Sequence, residues 1–340
     1  MEIKIALVGC GNVGTAFIEL LAEKRNELKN KFGFFFSLVM VSDKIKGTIC
    51  NKNGFDIDEL VLALHEEHNL SHFEQAKGNF QEVLLASGAN FLAECTPTDF
   101  ETGEPGMSHI KFALDNGISV STTNKGPIAL AIDDLKQIAD GHGAKIFCEG
   151  TVLSGTPLLD LLKNGLAGCE ILEVQGILNG TTNFILSQME QGQTYEAALK
   201  KAQLLGFAEA NPRQDVEAFD PAGKVLVLAK LIYGINVDFN SIKRIGITHV
   251  TKEMIEIAAK NNHRIKLIAG IHRDINGLHL YVMPRELENT HPLASVNGAT
   301  NAITLTTDNL GDITLIGPGA GRRETGQALL HDLIEFARTK

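Results

Sequence analysis

The sequence has no tryptophan, three tyrosines and nine prolines, and it carries no low-complexity run or internal repeat. No stretch approaches the roughly 20 consecutive apolar residues of a membrane-spanning helix, which excludes a helical membrane protein. Residues 1–4 lead straight into an apolar run rather than into a signal peptide, so a cytoplasmic location is expected. Cysteine is also scarce. Cys10, Cys50, Cys95, Cys148 and Cys169 are odd in number, widely spaced and without a CxxC pair. That excludes a disulfide scaffold and a zinc-ribbon signature, and it suits a reducing compartment. Positive charge is in deficit, with a formal net charge of −10. Nucleic acid and anionic membrane are therefore poor partners, and a small molecule is the expected one. What the chain does have is length, since 340 residues allow two domains with real cores.

The first motif stands at the N-terminus. Residues 3–8 form a short apolar run, followed by Gly9-Cys10-Gly11-Asn12-Val13-Gly14 and an amphipathic stretch over 15–29. Strand, then GxGxxG, then helix is the context of a dinucleotide fingerprint. Gly9 makes the tight turn, Gly11 admits a pyrophosphate, and Gly14 lets helix and strand pack closely. The helix start, at Asn12 and Val13, offers unpaired N–H groups to phosphate. A second strand over 34–41 leads to Ser42-Asp43. An acid at Asp43 suits the ribose hydroxyls of NAD, whereas Lys44 and Lys46 suit the 2′-phosphate of NADP, and the two readings stay open.

Strand and helix patterns alternate up to about residue 150. Further strands are expected at 91–95, 118–121 and 145–148, with helices at 109–116 and 132–140. This is a doubly wound parallel sheet of the Rossmann kind, with ligands beyond the carboxyl ends of its strands. Two motifs fall there: Glu94-Cys95-Thr96-Pro97-Thr98-Asp99, and Thr122-Thr123-Asn124-Lys125-Gly126-Pro127. Over 151–317 the pattern becomes α+β. Helices are expected at 158–163, 183–191, 195–205 and 221–235, and strands at 170–178, 264–272, 278–283, 302–307 and 313–316. Asp274-Ile275-Asn276-Gly277 reads as a hairpin loop. Helices on one face of this sheet would leave the other free to pair across a two-fold axis, giving a homodimer. A last helix over 325–338 places 318–340 back with the first domain. Arg322 and Arg323, just before it, suit either a cofactor phosphate or solvent.

Residues 206–224 crowd Glu209, Asp215, Glu217 and Asp220 around Lys224. Asp220-Pro221 reads as an N-cap followed by a first-turn proline, and Lys224, four residues on, shares the face of Asp220. The positive end of the helix dipole disfavours an ammonium there and the carboxylates favour it, which makes Lys224 a candidate for proton chemistry.

With these motifs in order, the chain resembles the homoserine dehydrogenase family along essentially its whole length. The signature appears as Ala202, Gly206-Phe207, Glu209, Asn211-Pro212, Asp215, Asp220 and Lys224, with Ala218 where the family has glycine. Gly176-Ile177-Leu178-Asn179-Gly180-Thr181-Thr182-Asn183, Asn124-Lys125-Gly126-Pro127 and Gly317-Pro318-Gly319-Ala320-Gly321 are similar to family motifs as well. The chain stops soon after the last of these, so it looks like a short form without the C-terminal ACT domain.

The resemblance implies NAD(P)-dependent interconversion of L-aspartate 4-semialdehyde and L-homoserine. It implies Lys224 and Lys125 as catalytic cations, one from each domain, with Asp220 orienting Lys224 or binding substrate beside it. Glu209 and Asp215 would hold the substrate's amino end, and the backbone at Gly180 and Thr181 its carboxylate. Thr96, Pro97, Gly319 and Gly321 would line the nicotinamide end of the cofactor. A sodium ion would be held by main-chain carbonyls of Glu149, Val152, Ser154 and Thr156. Two rivals stand beside this reading. One is a semialdehyde dehydrogenase that acylates a cysteine, for which Cys95 and Cys148 lie at strand ends without an evident histidine. The other is a nucleotide-binding paralogue without turnover, against which the joint retention of Lys125, Glu209, Asp215, Asp220 and Lys224 argues.

Overall fold

A computed structural model describes residues 2–66, 69–275 and 277–339. The chain forms two compact units, Met1–Gly155 with Gly321–Lys340, and Thr156–Ala320.

The first unit is built on six strands: β1 (Glu2–Val8), β2 (Phe35–Asp43), β3 (Gly47–Cys50), β4 (Phe91–Glu94), β5 (Ser119–Thr122) and β6 (Ile146–Phe147). Their order is β3-β2-β1-β4-β5-β6. All neighbours run parallel except β3, which folds back antiparallel on β2. Central strands of such a sheet are buried on both faces, and β1 shows why its run is continuously apolar. Ile3, Ile5 and Leu7 join one core with Phe17, Phe91, Leu329, Leu333 and Phe336. Ala6 and Val8 face the other core with Val39, Ile110 and Leu135. The helices Asn12–Phe32 and Arg322–Arg338 therefore cover the first face. Gly106–Asp115 and Lys125–Gly141 cover the second. The two helices on the first face approach closely at Gly326, where a Cβ would stand 3.1 Å from the Phe17 nitrogen.

Arg322 and Arg323 are exposed, as one of the two expectations has it, but both are held in ion pairs. Arg322 forks onto both oxygens of Glu19 at 3.0 Å, and Arg323 pairs with Glu23. Both arginines tie the last helix to the first.

The second unit has six strands too: β7 (Ile171–Ile177), β8 (Lys243–Arg244), β9 (His263–Asp274), β10 (Gly277–Glu288), β11 (Thr300–Thr307) and β12 (Gly311–Pro318). The order is β12-β11-β7-β9-β10-β8, antiparallel apart from the short β8–β10 pair. Asp274 pairs with Gly277, as a hairpin requires, and Asn276 of the expected turn lies outside the described residues. Helices Gly180–Glu190, Tyr195–Leu204, Phe219–Tyr233 and Lys252–Lys260 accompany the sheet.

The expectation of a bare second sheet face needs correction at its centre. Residues 265–271 of β9 are buried without a break. Ile177, Ile268 and Ala302 pack with Leu293, Ala294 and Val296 of an irregular segment that covers them. Apolar cover of this kind has no helical or strand period, so periodicity alone misses it.

Candidate functional site

The densest polar cluster in the second unit forms where β7 ends. Asn179 has extended backbone and caps the helix Gly180–Glu190, its Oδ1 accepting from the Thr182 N–H and hydroxyl, both at 2.9 Å. Its other end, Nδ2, donates to Asp215 at 2.6 Å and to Asp220 at 3.2 Å. The Lys224 ammonium donates to Asp220 at 2.8 Å and to the carbonyl of Leu178 at 2.6 Å. Lys224 is 6% exposed, and a buried ammonium is costly unless oxygens such as these compensate it. Burial pushes the Asp215 carboxyl above the usual carboxylate range, against the hydrogen bond from Asn179, which lowers it.

Asp220 is not the helix cap. The helix begins one residue earlier, at Phe219, behind Ala218 in a left-handed conformation (φ 66°, ψ 27°). Pro221 still lies in the first turn, where its missing N–H costs nothing. Displaced into the helix, the Asp220 carboxylate is aimed at Lys224 and Asn179 instead of at its own backbone. Ala218 is fully buried, and its conformation costs a residue with a Cβ about 1 kcal/mol or more. The turn is pinned from outside, since Ile247 N–H donates to the Val216 carbonyl at 2.9 Å.

Of the residues assigned to the amino end, Asp215 joins the cluster. Glu209 is exposed, and among the described residues its carboxylate makes no hydrogen bond to the cluster. Gly180 and Thr181 open the helix, whose first N–H groups have no carbonyl four residues back to bond. The Thr181 hydroxyl donates to the Phe207 carbonyl at 2.5 Å, drawing the signature loop against this helix start. Gly319 lies against Asn301, and a Cβ there would come 1.9 Å from its side chain.

In the first unit the fingerprint takes the conformation its glycines require. Gly9 has φ 87°, and a Cβ there would sit 2.6 Å from the Cys95 carbonyl. A Cβ on Gly14 would meet the Gly9 oxygen at 2.3 Å, while one on Gly11 would meet nothing within 4 Å. Asn12 and Val13 start the helix. Asp43 is held rigidly beside them. Its Oδ2 accepts from Cys10 N–H at 2.9 Å, and its Oδ1 from the N–H groups of Ile45 and Lys46 at 2.8 and 3.0 Å. The Lys46 ammonium bonds the Cys10 carbonyl at 2.5 Å, and Lys44 is exposed.

The two strand-end motifs interlock. Asn124 caps the helix Lys125–Gly141 and donates to the Pro97 carbonyl at 3.1 Å. Lys125 N–H donates to the Thr98 hydroxyl at 3.2 Å. Beneath them Glu94, fully buried, accepts from Thr96 N–H at 2.9 Å, from the Thr96 hydroxyl, and from the Thr122 hydroxyl at 2.7 Å. Cys95 beside it has its thiol pushed well above the usual range by burial, and further by the Glu94 charge. A thiolate nucleophile is disfavoured at this position.

For the cation, Glu149, Val152 and Ser154 fall in the first unit and Thr156 in the second. Leu153 and Ser154 both adopt positive φ, at 57° and 55°, so the loop turns its carbonyls sharply. Among the described residues no cluster of three or more acidic, histidine or cysteine side chains could hold a metal ion.

The family model for homoserine dehydrogenase matches residues 157–334, more than half the chain. The NAD(+)-dependent homoserine dehydrogenase of Pseudomonas canavaninivorans is 40% identical over 338 residues, covering 98% of this chain and 96% of its own. The chain belongs to the homoserine dehydrogenase family. The homoserine dehydrogenase of Methanocaldococcus jannaschii is 35% identical, with 98% of both chains covered. The solved structure of a hyperthermophilic archaeal homoserine dehydrogenase in complex with NADPH superposes with a TM-score of 0.84 at 30% identity, covering 100% of this chain and 99% of its own.

Set within a homoserine dehydrogenase, three groups stand out that the signature does not name: the Asn179 side chain, the Leu178 carbonyl and Glu94. An asparagine directly before Gly-Thr-Thr is a readable N-cap signal. That its amide also spans two carboxylates 36 and 41 residues away is not written in any local pattern.

Proposed function

We propose that this chain catalyses the NAD(P)-dependent interconversion of L-aspartate 4-semialdehyde and L-homoserine, with Lys224 handling the proton at the reacting oxygen. The observation that carries this is the suspension of the Lys224 ammonium between Asp220 and the Leu178 carbonyl. Of its three N–H groups two are committed there, and the third is available to the substrate oxygen. A bound nicotinamide cofactor supplies or accepts the hydride. As negative charge develops on the aldehyde oxygen, Lys224 stabilises it and then donates the proton, being reprotonated from water. In the reverse direction it withdraws the hydroxyl proton. Asp220 fixes the ammonium's position, and Asn179 fixes Asp220.

Asp215 and Glu209 receive the substrate's ammonium in this reading, and the helix start at Gly180 and Thr181 its carboxylate. Lys125 sits first in its helix, beside the Thr96 and Pro97 loop, and is assigned with them, Gly319 and Gly321 to the nicotinamide end. A sodium ion on the carbonyls of Glu149, Val152, Ser154 and Thr156 would brace their loop. A homodimer through the second unit's sheet and a cytoplasmic location belong to the same reading.

On the cofactor, Asp43 supports NAD. Its carboxylate is locked at the fingerprint by three backbone N–H groups, where it meets ribose hydroxyls and repels a 2′-phosphate. Lys46 is engaged on the Cys10 carbonyl. The relative from Pseudomonas canavaninivorans is named as NAD(+)-dependent.

The experiment is turnover of aspartate semialdehyde by the purified protein, following nicotinamide absorbance with NADH and NADPH separately. Homoserine should form, faster with NADH, and Lys224→Ala should lower kcat by about 100-fold or more. Near wild-type turnover in that variant would remove Lys224 from the mechanism.

A further inference from the structure

We infer that Glu94 is a positioning residue that joins the two strand-end loops into one platform for the nicotinamide end of the cofactor. The inference rests on the cofactor reading above and concerns a residue to which that reading gives no role.

Glu94 closes β4 and is fully buried. A carboxylate in such a place is costly unless its lone pairs are taken, and here each oxygen serves a different strand end. Oε1 accepts from Thr96 N–H at 2.9 Å and from the Thr96 hydroxyl, which shapes the loop after β4. Oε2 accepts from the Thr122 hydroxyl at 2.7 Å, at the end of β5. Thr122 Oγ1 in turn accepts from Asn124 N–H at 3.0 Å. Asn124 then caps the helix that begins with Lys125 and reaches back to the Pro97 carbonyl at 3.1 Å and the Thr96 hydroxyl at 3.4 Å. The ring of bonds closes on itself, with Glu94 at its centre. Every assigned cofactor contact of these loops, Thr96, Pro97 and Lys125, hangs from it.

Gly106 and His109 stand close behind the carboxylate. A Cβ on Gly106 would come 2.5 Å from Asn124 Nδ2 and 3.2 Å from Glu94 Oε2. His109 Nδ1, which has no hydrogen-bond partner among the described residues, stands 3.9 Å from Oε1 under the Phe80 ring. A buried ring of bonds that closes through both carboxylate oxygens fixes one geometry, and a one-ångström error in such a platform is enough to spoil hydride alignment.

Binding experiments separate positioning from plain stability. ADP-ribose carries the adenosine and pyrophosphate but no nicotinamide, so it reads the fingerprint without the platform. Calorimetric titration of Glu94→Ala should leave the Kd for ADP-ribose within about twofold of wild type. The Kd for NADH should rise about tenfold or more, with kcat falling as well. Glu94→Gln keeps the volume and an acceptor for Thr96, and it should recover most of the NADH affinity. If Glu94→Ala does not fold, Thr122→Val cuts the bond to Oε2 together with the one from Asn124 N–H, leaves Glu94 on Thr96, and should show the same contrast at smaller size. Equal weakening of ADP-ribose and NADH would make Glu94 merely structural, and unchanged NADH affinity with full turnover would make it idle. Either result overturns the inference. Neither binding measurement involves the semialdehyde, so a wild-type protein that binds NADH without reducing it would count against the assigned reaction and not against the platform.

Discussion

Replacing Asn179 by alanine tests the core of the site, because one side chain does two separable jobs there. As a cap it accepts from Thr182 N–H, and losing a cap costs about 1 kcal/mol. As a donor it holds Asp215 at 2.6 Å, and stripping a hydrogen bond from a poorly solvated carboxylate costs about 1.5–3 kcal/mol. The longer bond to Asp220 matters less, since Lys224 remains on that carboxylate. The sum is about 3 kcal/mol at neutral pH. It should be smaller in acid. Burial already raises the Asp215 carboxyl above its unfolded value while Asn179 pulls it down. Without Asn179 the folded value rises further, so the folded variant holds its proton to higher pH than wild type does. The deficit is therefore smallest near the unfolded carboxylate pKa and grows as pH rises through the folded one.

The assay is supplied by composition. With no tryptophan, and with Tyr195, Tyr233 and Tyr281 all in the second unit, tyrosine fluorescence during urea unfolding reports that unit alone. Asn179→Ser is the control, for it keeps a neutral N-cap acceptor and should lose only the donor share. A deficit under about 1 kcal/mol at pH 7, or one independent of pH between 4 and 7, would refute the reasoning.

Three further outcomes are expected. Asp332 is buried against the Ser121 hydroxyl, and burial pushes its carboxyl well above the usual range. The folded state then binds its proton more tightly than the unfolded chain, so wild-type stability falls as pH climbs from about 4, and Asp332→Asn should flatten that slope; parallel Tm-versus-pH curves would contradict it. Gly126→Ala should cost about 1–3 kcal/mol and weaken NADH binding, because its Cβ would lie 2.0 Å from the Asp99 carbonyl; an unchanged Tm would show that the loop yields freely. Iodoacetamide at pH 7 should leave turnover intact, since the Cys95 thiol is held protonated; rapid inactivation protected by semialdehyde would revive a thiol mechanism.

Much of this molecule is legible before folding, for reasons that are local. β1, the glycine turn and the helix after it are adjacent in sequence, and each glycine has a steric task that neighbours impose. The same holds for the apolar run 91–93 that opens β4, whereas β5 reads Ser-Val-Ser-Thr and is buried all the same. What escapes is set by distant partners. Asp220 looks like a cap until Ala218 adopts a left-handed turn pinned by Ile247. Arg322 looks free for phosphate until Glu19, 303 residues away, takes it. Glu209 carries the family signature, yet it is exposed and among the described residues makes no hydrogen bond to the cluster.

The helix Arg322–Arg338 gives the first unit a history as well as a shape. Leu329, Leu333 and Phe336 share a core with Ile5, Phe17 and Phe91, so that core is missing part of its wall while residues 1–155 leave the ribosome. The unit begun first can only be completed last, after the whole of 156–320 has been synthesised and is free to fold. Until then the nascent first half exposes the apolar face that Leu329, Leu333 and Phe336 will cover.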